Sequence, residues 1–185
     1  MIYVVLAAGE SRRMGFAKVF APLRGRSPLE RIAALLEGRE AIVVVPPERR
    51  RDAQRMAPRM RMVPNGEPGR GMTHSLRLAL EAVEADADFG ILLGDEPFLS
   101  RATLERIEEA FAGVDVAYPV NAEGVPGHPV IFAARLRARL RELPDGDALS
   151  QLRDDSSLVR SVVRCDDPGA YRDLNEPADW EAADA

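Results

Sequence analysis

Apolar residues along this chain fall into two patterns that alternate from one end to the other. Runs such as Ile2 to Leu6, Ala41 to Val45 and "FGILLG" before Asp95 are apolar at nearly every position, as strands covered on both faces must be. Between the first two lies "SPLERIAALLEG", which spaces its apolar residues at helical intervals and carries its own boundaries. Ser27 is the cap, Pro28 stands in the first turn, Glu30 completes a capping box and Gly38 is the stop. Further helices are predicted near Pro47 to Met56, Met72 to Val83, Ser100 to Phe111 and Ala133 to Leu143, with a short one after Pro177. Further strands are predicted over Met60 to Val63, Val114 to Val120, Pro129 to Phe132 and Leu158 to Arg164. Strands spaced by helices of this length predict a three-layer α/β fold, a mostly parallel Rossmann-like sheet with helices on both faces.

Composition narrows the picture. With 185 residues, 46% of them hydrophobic, the chain can bury about 70% of its unfolded surface as one domain. A net charge of -5 with both signs mixed argues against a nucleic-acid binder working by bulk electrostatics. Cys165 is alone, so no internal disulfide forms, and it reads as a small buried apolar side chain in a reducing compartment. The opening "MIYVVLAAG" has no basic leader and is too short to span a bilayer, so no membrane contact and a cytoplasmic location are expected.

In folds of this kind ligands gather at the carboxyl ends of the strands. After the first strand, "LAAGESRRMGFAK" sets Gly9 and Gly15 among Ser11, Arg12, Arg13 and Lys18, a loop suited either to an anion or to an ordinary strand-to-helix turn. Lys18 is the single lysine in a chain with twenty-four arginines. A compact ammonium serves where a planar guanidinium does not fit, phosphate binding being one such place. After "ILLG", Asp95 beside a second carboxylate and a proline offers either a magnesium ligand or a turn aspartate. Near the end, Asp173 and Asn175 can face the same edge, or Asn175 can cap the helix begun by Pro177.

"LAAGESRRMGFAK" closely resembles the opening signature of the molybdenum cofactor nucleotidyltransferases. The likeness continues through "PLRGRSPLE", "GMTHSL", "LLGDEP", "GHPVIF" and "DLNEP", in the family's order. The resemblance implies a single nucleotidyltransferase domain over 1–185, with a nucleotide half to about residue 100 and an acceptor half beyond it. Leu6, Ala7, Ala8 and Gly9 would then hold base and ribose, and Ser11, Arg13 and Gly15 the triphosphate. Lys18 would neutralise the reacting phosphates, and Asp95, with Asn175, would hold Mg2+ or Mn2+. Asn65, Gly71 and Ser75 would line the nucleotide pocket, and His128 would lie on the acceptor side.

The implied substrates are a nucleoside triphosphate and a phosphorylated small molecule such as the molybdopterin cofactor, with a molybdoenzyme receiving the product as a further partner. Ala8, in the Ala-Ala-Gly form of the loop entrance, points to CTP. The chain departs from the family at Gly66 and after Gly146 and Asp147, the latter on the acceptor half. A guanylyl or sugar-phosphate transferase of the same fold, and a nucleotide-binding regulator without turnover, remain the alternatives. The basic run "ERRRDAQRMAPRMR" reads as a solvated helix face, with attraction of an anionic acceptor as the alternative, and His74 as helix surface or cap.

Overall fold

Strand β1 (Ile2–Leu6) is buried along nearly its whole length, because it has a neighbouring strand on each side and helices on each face. The computed structural model describes residues 1–9, 11, 14–144 and 148–184. Six further strands, β2 (Glu40–Val45), β3 (Arg61–Pro64), β4 (Phe89–Leu93), β5 (Val116–Val120), β6 (Val130–Phe132) and β7 (Arg160–Arg164), complete a sheet of order β3-β2-β1-β4-β6-β5-β7. All neighbouring pairs are parallel except those of β6, which runs against both β4 and β5.

The helices are α1 (Pro28–Leu35), α2 (Arg50–Met56), α3 (Met72–Glu81), α4 (Arg101–Ala110), α5 (Arg137–Glu142), α6 (Ala148–Arg153) and α7 (Pro177–Asp184). Alternation along the strands divides the core in two. Ile2, Val4, Ile42 and Val44 pack with Leu76 and Leu80 of α3, Leu140 of α5 and Leu152 of α6. Tyr3, Val5, Val43 and Val45 pack with Leu29 and Ile32 of α1, Ala53 of α2 and Leu104 of α4. Burying a Leu or Ile side chain stabilises by about 1.5–3 kcal/mol, so these layers supply the main driving force.

Local signals explain much of this. The capping box of α1 is present in both directions: Glu30 N–H donates to Ser27 Oγ at 3.2 Å and Ser27 N–H to Glu30 Oε2 at 2.6 Å. The helices expected from Pro47 and from Ala133 each begin as a single 3-10 turn before α2 and α5. Helix α6 was not expected. The closing of α3 was not expected either: Arg137, from α5, donates to the carbonyls of Leu80, Val83 and Glu84, satisfying the helix end that no glycine terminates. Cys165 is free and buried, as its composition predicts.

The chain builds β1, β2 and β3 outward in one direction, then crosses back to place β4 on the other side of β1. This reversal opens a crevice between the carboxyl ends of β1 and β4. Their exits lie close together. Gly94 N–H donates to the Leu6 carbonyl at 2.9 Å, and a Cβ on Gly94 would stand 3.0 Å from that oxygen and 3.1 Å from Ala7 Cα. Among the described residues no helix is long and apolar enough to cross a membrane.

Candidate active site

The crevice is a cavity of about 290 Å³, and Leu6, Ala7, Ala8, Gly9, Ser11, Lys18, Gly71, Ser75 and Asp95 all line it. Two groups expected in the nucleotide pocket do not. Gly15 lies in the loop outside the lining, with φ of +71° that favours glycine. Asn65 is wholly buried behind the wall, where its Nδ2 donates to Ser75 Oγ at 2.8 Å and its Oδ1 accepts from Glu67 N–H at 2.8 Å. It therefore sets the wall in place rather than forming it. Pro68, Met72, Val19 and Leu93 add apolar lining that the motifs did not reveal. Arg13, Gly146 and Asp147 lie outside the described residues, and the departure that follows Asp147 falls on α6.

Lys18, in the loop that follows β1, is 8% exposed. The loop turns back as a single 3-10 turn from Lys18 to Phe20, and the segment around Leu174 covers it, packing on Leu23. Inside, Lys18 Nζ stands 2.6 Å from Asp95 Oδ2 and donates to Asn175 Oδ1 at 2.9 Å. Asn175 is oriented by donating its Nδ2 to the Asp173 carboxylate and its backbone N–H to Asp179 Oδ2 at 3.1 Å. Leu174 N–H meets the Asp95 carbonyl at 3.1 Å, tying the end of the chain to the exit of β4.

The two oxygens expected to face a metal thus converge on one point, and the charge now at that point is the Lys18 ammonium. Such convergence of a carboxylate and an amide oxygen suits a hard divalent cation whose other positions are filled by phosphate and water. No group of three or more His, Cys, Asp or Glu side chains gathers for a metal among the described residues. The protein side of such a shell is therefore partial. Above the loop, Phe16 meets Trp180 of α7 edge to face, with ring centres 5.1 Å apart.

On the far side of Asp95, His128 Nδ1 lies 3.0 Å from Glu96. Glu96 is 7% exposed, and burial pushes its carboxyl above the usual range while the hydrogen bond with His128 pulls it down. Sequence reasoning read Glu96 only as a neighbour of Asp95; the signal it missed is a partner 32 positions away. His74, in the first turn of α3, is mostly covered and lies 3.8 Å from exposed Glu67.

A mostly parallel sheet whose switch-point crevice gathers a glycine-bearing loop, a lysine and a carboxylate defines an α/β protein with a polar crevice at the carboxyl ends of its strands. Residues 3–164 match the MobA-like NTP transferase domain, and the chain belongs to that family of nucleotidyltransferases. Rv0371c from Mycobacterium tuberculosis H37Rv superposes with a TM-score of 0.82 at 26% identity, covering 99% of this chain and 96% of that one. The same protein solved as a complex with manganese gives 0.79 at 23% identity, covering 99% and 97%. Molybdopterin-guanine dinucleotide biosynthesis protein A from Archaeoglobus fulgidus gives 0.73 at 19% identity over 100% and 97%, a likeness of fold. The bifunctional protein GlmU of Paramagnetospirillum magneticum (strain ATCC 700264 / AMB-1) is 34% identical over 110 residues, 56% of this chain but 24% of that protein's length.

Proposed function

We propose that the protein transfers CMP from CTP to a phosphorylated small-molecule acceptor such as the molybdopterin cofactor, releasing pyrophosphate. The observation that carries this reading is the meeting of Lys18, Asp95 and Asn175 at one point of a crevice bordered by the loop that follows β1. An ammonium has three N–H donors. Asp95 and Asn175 take two of them, which leaves the third for a phosphate oxygen, and a metal taking those two oxygens would free the whole ammonium for the phosphates.

In this reading Leu6 to Gly9 carry base and ribose, Ser11, Gly15 and Arg13 wrap the triphosphate, and Gly71 and Ser75, with Asn65 behind them, close the wall. Asp95 and Asn175 would hold Mg2+ or Mn2+, which when bound supplies positive charge against the triphosphate oxygens. The manganese complex of Rv0371c supports a divalent cation. The archaeal relative's role in molybdopterin-guanine dinucleotide biosynthesis supports a pterin acceptor, His128 being its contact and a molybdoenzyme the further partner.

A phosphate oxygen of the acceptor attacks the α-phosphorus, one P–O bond forms, and the bond to the departing pyrophosphate breaks. A phosphate monoester is already largely ionised near neutral pH, its second pKa being about 6, so making the nucleophile takes little base. Catalysis then rests on position and on charge held against the phosphates by Lys18.

The base follows from Ala8. Ala8 lines the crevice where the loop leaves β1, and in this reading its methyl favours cytosine over the larger guanine. A methyl-scale difference is worth about 1–3 kcal/mol, so CTP should be used at least about tenfold more efficiently than GTP, with Ala8→Gly narrowing the ratio. Pyrophosphate release, measured for each triphosphate with magnesium and with or without a pterin phosphate, tests both parts. Preference for GTP overturns the choice of base, and no release with any triphosphate overturns transfer itself.

A further inference from the structure

The Glu96 and His128 pair lies beside the proposed phosphate centre, and the transfer mechanism above gives Glu96 no part. Glu96 leaves β4 one residue after Asp95, and its only side-chain hydrogen bond among the described residues is to His128. Both of its carboxylate oxygens lie 3.0 Å from His128 Nδ1, so the imidazole is the group that the buried carboxylate faces. Burial and the acidic neighbours Asp95 and Asp173 raise its carboxyl, and the bond with His128 opposes that shift.

His128 is fixed from three sides. Its backbone N–H donates to the Ala170 carbonyl at 3.0 Å. The preceding Gly127 is pressed so tightly that a Cβ there would stand 2.1 Å from the same carbonyl oxygen. The ring is held at Nδ1 by Glu96. Its other nitrogen, Nε2, has no protein partner among the described residues, and the side chain is 20% exposed. A carboxylate can only accept, so a neutral imidazole in this pair carries its proton on Nδ1 and leaves its lone pair on Nε2.

Resting on the reading of His128 as an acceptor contact, we propose that Glu96 is the positioning residue for His128. It holds the ring at Nδ1 and leaves Nε2 for the acceptor, and in the neutral ring that nitrogen takes phosphorylated molecules that bring an O–H or N–H donor to it. Loss of the orienting partner of a metal-binding histidine costs about 10–100-fold, and the lower end of that scale is expected for His128.

The chain has two histidines, so the ring can be read directly. In mildly alkaline buffer, proton-nitrogen correlation spectra of the imidazoles, assigned with His128→Gln, should show His128 protonated at Nδ1. Glu96→Gln, whose amide oxygen still accepts, should keep that state, and Glu96→Leu should lose it. With a pterin phosphate as acceptor, Glu96→Leu should raise the acceptor KM about tenfold or more, leave the CTP KM unchanged and be largely rescued in Glu96→Gln. A wild-type ring protonated at Nε2, an unchanged spectrum in Glu96→Leu, or an equal rise in both KM values overturns the proposal. If no acceptor is turned over, the transfer reading fails, and the spectra still decide whether Glu96 orients the ring.

Discussion

An ammonium lets several acceptors gather around one nitrogen, whereas a guanidinium spreads its donors along a rigid fork. Lys18 uses the first property, since Asp95 Oδ2 at 2.6 Å and Asn175 Oδ1 at 2.9 Å share one atom. An arginine there could still pair with Asp95, but it would need space in a position that is 8% exposed, and its charge centre would be displaced from that point. Lys18→Arg is therefore expected to fold, with a circular dichroism spectrum like that of the wild type, and to lose at least about a hundredfold in turnover. That is the scale on which removal of one preorganised charge-stabilising group acts. Wild-type pyrophosphate release by this variant would reduce Lys18 to one cation among many. The same three residues show what sequence can convey about a site. Lys18 and Asp95 announced themselves by following buried strands, but their pairing depends on a partner in Asn175 that lies 157 positions from Lys18.

At the level of elements, one carboxylate ties the segment after β7 to the start of α4. Asp167 Oδ2 accepts from Ser100 N–H at 2.9 Å and from the Thr103 hydroxyl at 2.7 Å, while Oδ1 accepts from Gly169 N–H at 2.9 Å. Burial alone would raise this carboxyl, and the bonds from Ser100, Thr103 and Gly169 outweigh it and hold it below its usual value. A folded pKa below the unfolded one of about 3.9 adds stability above that value, and this stability is lost as pH falls toward the folded pKa. Asp167→Asn should thus melt about 2–4 °C below the wild type at neutral pH, from about 1 kcal/mol for a partly exposed charged acceptor. The gap should close below about pH 4, and thermal melts across that range check it; a constant gap would mean that charge plays no part. Strand direction also belongs to this scale. The run "PVIF" reads as a strand whichever way it points, so nothing in its periodicity foretold that β6 opposes β4 and β5. Helix α6 was missed because "PDGD" directly before it offers only turn residues to a local reading.

Across the whole molecule, most strands and helices were legible because apolar runs, caps and stops are local in sequence. The crevice was legible because its walls follow those strands directly. What stayed hidden was made by return of the chain: Arg137 closing α3, Glu96 meeting His128, and the last segment folding over the loop after β1. That last return brings Trp180 against Phe16, two residues before Lys18. Trp180 is the chain's single tryptophan, so all of its indole emission comes from one spot beside the crevice. The protein thus carries its own optical label. Titration with CTP and magnesium should change the intensity or wavelength of that emission in a saturable way, and Phe16→Ala should blunt the change. A dissociation constant would then be read from unmodified protein without any acceptor present, and emission indifferent to nucleotide would mean that Phe16 and Trp180 keep the same surroundings when the crevice fills.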